Sequence, residues 1–176
     1  MHMPYKKITA EELRMEIASV FPDVEMPPKT AITFHRDACP ECAGLAVDLE
    51  EYRGQIIGIQ VIRIIHQELM HLSASGWRWI LPYYLGYCLT PEAEYSQMET
   101  EFLIYALGPA LEFQKGTIER LSCLNEKQIV SLIHFLGWCN DQDFWREYCQ
   151  NDIQRAINFL ATIKKPRGRI KGSDWQ

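Results

Sequence analysis

Long apolar runs are missing from this 176-residue chain. Its two most apolar stretches are 56–65, broken by Gln60 and Arg63, and 79–89, broken by Pro82. Both fall short of the roughly 20 apolar residues that cross a bilayer, so no membrane role is expected. Residues 1–7 are polar and hold no apolar segment of the secretory type. Cysteine is sparse for a disulfide scaffold, with six in the whole chain. A reducing cytoplasm is therefore the expected compartment, where Cys88, set in Gly-Tyr-Cys-Leu, reads as a small buried hydrophobe. The phosphate-cradling, dinucleotide-binding and serine-hydrolase glycine motifs are all absent. Neighbouring acids such as Glu99 and Glu101 fall on different faces of a helix. No nucleophile, base and orienting group can be assembled, and an enzymatic role is not expected.

What is present is an average globular composition, 47% apolar and 23% charged, at a length that suits one domain. The periodicity is helical. Thr9 and Glu12 form a capping box ahead of the stripe Leu13, Ile17, Val20 and Phe21, which Pro22 ends. Pro27 and Pro28 predict an extended connector, and 31–35 a short extended piece. Asp37 is the expected cap of a helix with Pro40 and Glu41 in its first turn and Gly54 as its stop. Val61, Ile62, Ile65, Leu69 and Leu72 keep the spacing of a single helix. Ser73 or Ser75 caps a segment that Pro82 should break or kink. Thr90-Pro91-Glu92 opens a stripe through Tyr95, Met98, Phe102 and Tyr105. A short helix opens at Ala110–Gln114 and stops near Gly116. Asn125 and Gln128 cap another, which Gly137 closes. A last helix from Asp141 or Asp143 should bury Phe144, Tyr148, Ile153, Ile157 and Leu160. The expectation is an all-α, irregular single-domain fold of seven to eight helices over 1–163, followed by a basic, flexible tail over 164–176.

Charge is unevenly spread. The tail holds five of the 18 basic side chains and one of the 23 acidic ones, which leaves the rest of the chain at −9. Such a body repels phosphate, so nucleic acid is not an expected partner. It favours a cationic protein instead.

Three clusters could carry chemistry. In His35-Arg-Asp-Ala-Cys39-Pro-Glu-Cys42, two thiols sit two residues apart at a helix start. The helix N-terminus should lower the thiol pKa and favour thiolate for metal binding or disulfide exchange. His35, Cys39 and Cys42 are the candidate metal ligands, with zinc as the candidate ion. A closed zinc site needs a fourth, to be sought in Asp37, His66, His71 or a distant cysteine. The stretch also looks locally like the head of a glutaredoxin, but the further strands and the cis-proline loop of that family are lacking. In His66-Gln-Glu68-Leu-Met-His71 the histidines are five apart and do not share a helical face, so the zinc-protease pattern is not met. Trp77, Trp79, Tyr83, Tyr84 and Tyr87 form a dense aromatic group that reads first as core.

The His35…Cys39-x-Glu41-Cys42 head, followed by Trp79 and Leu81-Pro82-x-Tyr84-Leu85, resembles a poorly characterised bacterial family of small helical proteins over roughly residues 30–160. The resemblance implies a helical fold and a bacterial source, and supplies no activity. Two functions follow from the residues. The first is a non-enzymatic bacterial interaction protein, such as an immunity- or inhibitor-type binder of a basic partner, which needs no cofactor. The second is a metal-binding or thiol-redox protein using His35, Cys39 and Cys42.

Overall fold

The structure, a computed structural model, describes residues 5–35 and 38–164. It is all-α, as expected, and among the described residues it has eleven α-helices, eight of them seven residues or longer. In chain order they are α1 (Ala10–Val20), α2 (Lys29–Ile32), α3 (Pro40–Glu50), α4 (Ile59–Ile65), α5 (Ala74–Cys88), α6 (Pro91–Ser96), α7 (Met98–Leu107), α8 (Gln114–Leu121), α9 (Glu126–Asp141), α10 (Asp143–Tyr148) and α11 (Gln150–Lys164). The 3-10 turns Leu69–His71 and Leu111–Phe113 lie between α4 and α5 and between α7 and α8. The helix α9 packs on α1, α10 and α11, and α11 packs on α7. The helix α5 joins this group to α2 and α8 through α1. A continuous core runs through all of it, with Leu13, Tyr84, Leu85, Leu132, Phe135 and Leu160 wholly buried.

Four of the expected N-caps, Thr9, Ser73, Thr90 and Asn125, are in place. Thr9 and Glu12 form the expected box, as do Asn125 and Gln128. Gln128 Nε2 also donates to the Val20 carbonyl, tying the start of α9 to the end of α1. Ser73 caps α5 and Thr90 caps α6. Helix continuity departs from the expectation, and the described residues form more helices than the seven to eight expected. The segment 61–72 is not one helix, because α4 ends at Ile65 and His66 Nδ1 lies 2.5 Å from the Arg63 carbonyl. The stretch 91–107 is split at Gln97, which has a left-handed φ of 62°. The last helix is split at Cys149, which resets the helical phase and leaves Phe144 and Tyr148 exposed instead of buried.

Other helices run through predicted stops. Gly116 lies inside α8, and Gly137 lies inside α9. The latter glycine is there because the Tyr5 ring rests on it, where a Cβ would stand 2.4 Å from Tyr5 Cδ2. The helix α5 is continuous through Pro82. A mid-helix proline costs about 3 kcal/mol, and each large apolar side chain fully buried gains about 1.5–3 kcal/mol. Trp77, Trp79, Ile80, Leu81, Tyr84 and Leu85 are all buried on this helix, so burial outweighs the lost hydrogen bond. Lys164 closes α11, and the rest of the predicted tail lies outside the described residues.

Two glycines of α5 test this packing against helix propensity. A Cβ at Gly76 would lie 2.4 Å from the Ile32 carbonyl oxygen, a backbone atom that cannot rotate aside. A Cβ at Gly86 would meet nothing within 4 Å. Gly86→Ala is expected to stabilise the protein by about 0.5–1 kcal/mol. Gly76→Ala is expected to destabilise it by about 1–3 kcal/mol through overpacking. Urea denaturation followed by circular dichroism reads both, and equal effects of one sign would refute the contrast.

Candidate metal centre

The chain reaches the Cys39–Cys42 pair by an unusual route. The segment 31–35, expected to be extended, begins as the last turn of α2. Only then does it extend, pairing as an isolated antiparallel bridge between Thr33 and Leu72. Phe34 N–H donates to the His71 carbonyl at 2.7 Å, and Ser73 N–H donates to the Ile32 carbonyl at 3.0 Å. These bonds hold His35 beside the start of α3 and place the Leu69–His71 turn behind it.

The cap of α3 is Cys39 itself; Asp37 lies outside the described residues. Its sulfur accepts from Cys42 N–H at 3.5 Å, and Pro40 follows at the first helical position. One helical turn then brings Cys42 Sγ to 3.9 Å from His35 Nδ1. The ligand atoms of His35, Cys39 and Cys42 all lie within 4.8 Å of one another. Zinc–sulfur bonds of about 2.3 Å in a tetrahedron place neighbouring ligand atoms about 3.5–3.8 Å apart. Small side-chain rotations therefore close the set around one ion. Cys42 is buried, Cys39 half-buried and His35 exposed, which gives the cluster one face toward solvent.

Polar contacts surround the sulfurs. The Cys39 thiol donates to Glu41 Oε2 at 3.1 Å, and the Cys42 thiol donates to the His71 carbonyl at 3.8 Å. The Cys39 thiol does not follow the expectation of a lowered pKa. The Cys42 backbone N–H pulls it down as a helix N-terminus should, but the Glu41 carboxylate, partial desolvation and the adjacent Cys42 thiol together push it above the usual thiol value. The same contact with Cys39 holds the Glu41 carboxyl below its usual range, with His71 contributing nearby charge. Two thiols and a carboxylate crowded together gain when a cation enters among them.

The other shortlisted ligands lie elsewhere. The His71 ring is paired with Glu68. His66 caps the end of α4 and stands edge-on to Phe102, their ring centres 5.2 Å apart. Cys88, Cys139 and Cys149 are buried in the core, and burial raises the Cys88 thiol to about 12. Cys123 donates to the Ala74 carbonyl at 3.0 Å. Glu41, whose Oε2 lies 3.1 Å from the Cys39 sulfur, brings a carboxylate to the edge of the cluster. His66 and His71 sit on separate elements, in keeping with the failed zinc-protease pattern. Of the aromatic group, Trp77, Trp79 and Tyr84 are core, and the Tyr84 hydroxyl donates to the Glu99 carbonyl at 2.8 Å. Glu99 is itself buried and lies 3.5 Å from Arg63.

No helix among the described residues is long and apolar enough to cross a membrane. No curated protein and no solved structure matches the chain. Residues 57–161 match a family of unknown function (DUF6714). That segment takes in Leu81-Pro82-x-Tyr84-Leu85 and the turn at Leu69–His71, whereas the His35, Cys39 and Cys42 cluster precedes it. Because the match spans more than half of the chain, the protein belongs to this family of unknown function.

Proposed function

We propose that the protein binds one zinc ion through His35, Cys39 and Cys42, with Glu41 or a water molecule as fourth ligand. The observation that carries this reading is the convergence of two sulfurs and an imidazole nitrogen within 4.8 Å. Two thiolates and a histidine form a donor set suited to zinc. The ion would join the α2 exit to the first turn of α3, next to the Leu69–His71 turn, and so serve to fix that junction. A disulfide-exchange role has less support, because the contacts of Cys39 disfavour its thiolate in the absence of a cation. The test is titration of chelator-treated full-length protein with Zn²⁺ against a chromophoric competitor, with Co²⁺ as a spectroscopic probe. One ion per chain and a cobalt–thiolate charge-transfer band are expected. No ion uptake, together with a reversible Cys39–Cys42 disulfide, would favour the thiol-redox reading instead.

A second reading is compatible with the first and rests on charge. The body outside the tail carries −9, and Asp48, Glu51, Glu92 and Glu94 are exposed. We infer that this surface suits a basic protein partner, with the protein acting as a non-enzymatic immunity- or inhibitor-type binder. Association with a basic protein encoded beside it should slow as salt rises. An association rate indifferent to ionic strength would count against this reading.

A further inference from the structure

A cavity remote in chemistry from the thiol cluster lies between the Leu69–His71 turn, α7, α8 and α11. Its volume is about 390 Å³, within the range of small-molecule sites. Buried Leu69, Trp77 and Thr117 contribute to its lining, together with Phe102 and Ala106. Its rim is apolar as well, since Met70, Tyr105 and Phe113 are exposed there.

One cation in this lining is unspent. Arg14, Arg53, Arg63, Arg146 and Arg155 each rest on a carboxylate. Arg120 has no such partner among the described residues, in a chain with a net charge of −5. Its guanidinium lies 5.5 Å from the centre of the Phe34 ring and donates to Thr117 Oγ1 at 3.3 Å. Among the described residues that is its one hydrogen bond, and desolvation pulls its pKa down, against a smaller upward pull from Glu119. A half-buried guanidinium that touches no carboxylate among the described residues, on an apolar wall, is a place for an anion attached to an apolar body. Arg155, also in the lining, is already committed to Asp152 and to the Gly108 carbonyl.

We propose that this cleft binds a small amphipathic monocarboxylate, with its hydrocarbon or aryl body against Trp77 and Phe102 and its carboxylate on Arg120. A single free guanidinium matches one carboxylate, whereas a phosphate ester would call for more positive charge. A basic peptide would meet Arg120 as a like charge. The concave shape and buried lining favour a small molecule over a flat protein surface.

The test is an NMR titration of the full-length chain with sodium octanoate and sodium naphthoate, and with octanol as the uncharged counterpart. The Trp77 indole N–H and the Thr117 amide report occupancy. Saturable shifts at both are expected with the acids. Arg120→Gln should weaken octanoate binding by about tenfold or more and leave octanol binding unchanged, which also shows that the variant is folded. Ala106→Trp, which fills the cleft, should remove binding of all three probes. The proposal is overturned if neither acid gives a saturable shift up to about 1 mM. It is equally overturned if Arg120→Gln weakens acid and alcohol alike, or if Ala106→Trp leaves binding in place.

Discussion

Exchanging Cys39 for serine is expected to weaken Zn²⁺ binding by about 100-fold or more while leaving the fold intact. Changes to groups that only support a ligand already cost about 10–100-fold in metal affinity, and Cys39→Ser removes a ligand outright. The substitution is well suited to the question because Cys39 also caps α3 through its sulfur. Serine is a stronger N-cap than cysteine, so the helix start is kept and only the soft donor is lost. Cys42 is wholly buried, and its replacement would mix ligand loss with packing loss. Competition titration measures the affinity, and thermal denaturation of the metal-free proteins supplies the control. Equal zinc affinities for Cys39→Ser and wild type would remove the proposed centre. A Cys39→Ser chain that fails to fold even without metal would show that the sulfur serves packing instead.

Trp77→Ala is expected to lower the unfolding free energy by about 3–5 kcal/mol, the range for deleting a large buried aromatic. Trp77 is 1% exposed, and its indole N–H donates to the Leu69 carbonyl at 2.9 Å. That carbonyl also accepts from the Leu72 N–H at 3.3 Å, so the indole is its second donor. Trp77→Phe keeps most of the apolar contact but removes the indole donor, and should cost about 0.5–1.5 kcal/mol for the lost hydrogen bond, since the carbonyl keeps the Leu72 N–H. The difference between the two variants then reports packing. Urea denaturation followed by circular dichroism is the measurement. A Trp77→Ala loss below about 1 kcal/mol would mean that the site collapses around the change.

What could be read from the residues alone divides along physical lines. Local signals survived folding. The Thr9–Glu12 and Asn125–Gln128 boxes and the Thr90-Pro91 start depend only on atoms a few residues apart, and all three are present. Signals that depend on a distant partner failed. Gly137 continues a helix because Tyr5 lies on it, and Pro82 is carried through by side chains buried all around α5. Leu72, expected on the same helix as Ile65, pairs instead with Thr33. The same division applies to the thiol cluster. Its three ligands were legible because they lie within eight residues, whereas the contact of Cys42 with the His71 carbonyl needed the bridge between 33 and 72. The cleft around Arg120 was not legible at all, since its walls come from elements scattered between residues 66 and 155.

The turn at Leu69–His71 faces two ways. The His71 carbonyl meets the Cys42 sulfur, while Leu69 and Met70 line the cleft and the Leu69 carbonyl anchors Trp77. Phe34 also touches both groups, standing edge-on to His35 with the Arg120 guanidinium 5.5 Å from its ring centre. Occupants of the two proposed sites would share this partition, and linkage would make any influence between them mutual. Whatever factor an occupant of the cleft imposes on metal affinity, the ion must impose on that occupant in equal measure.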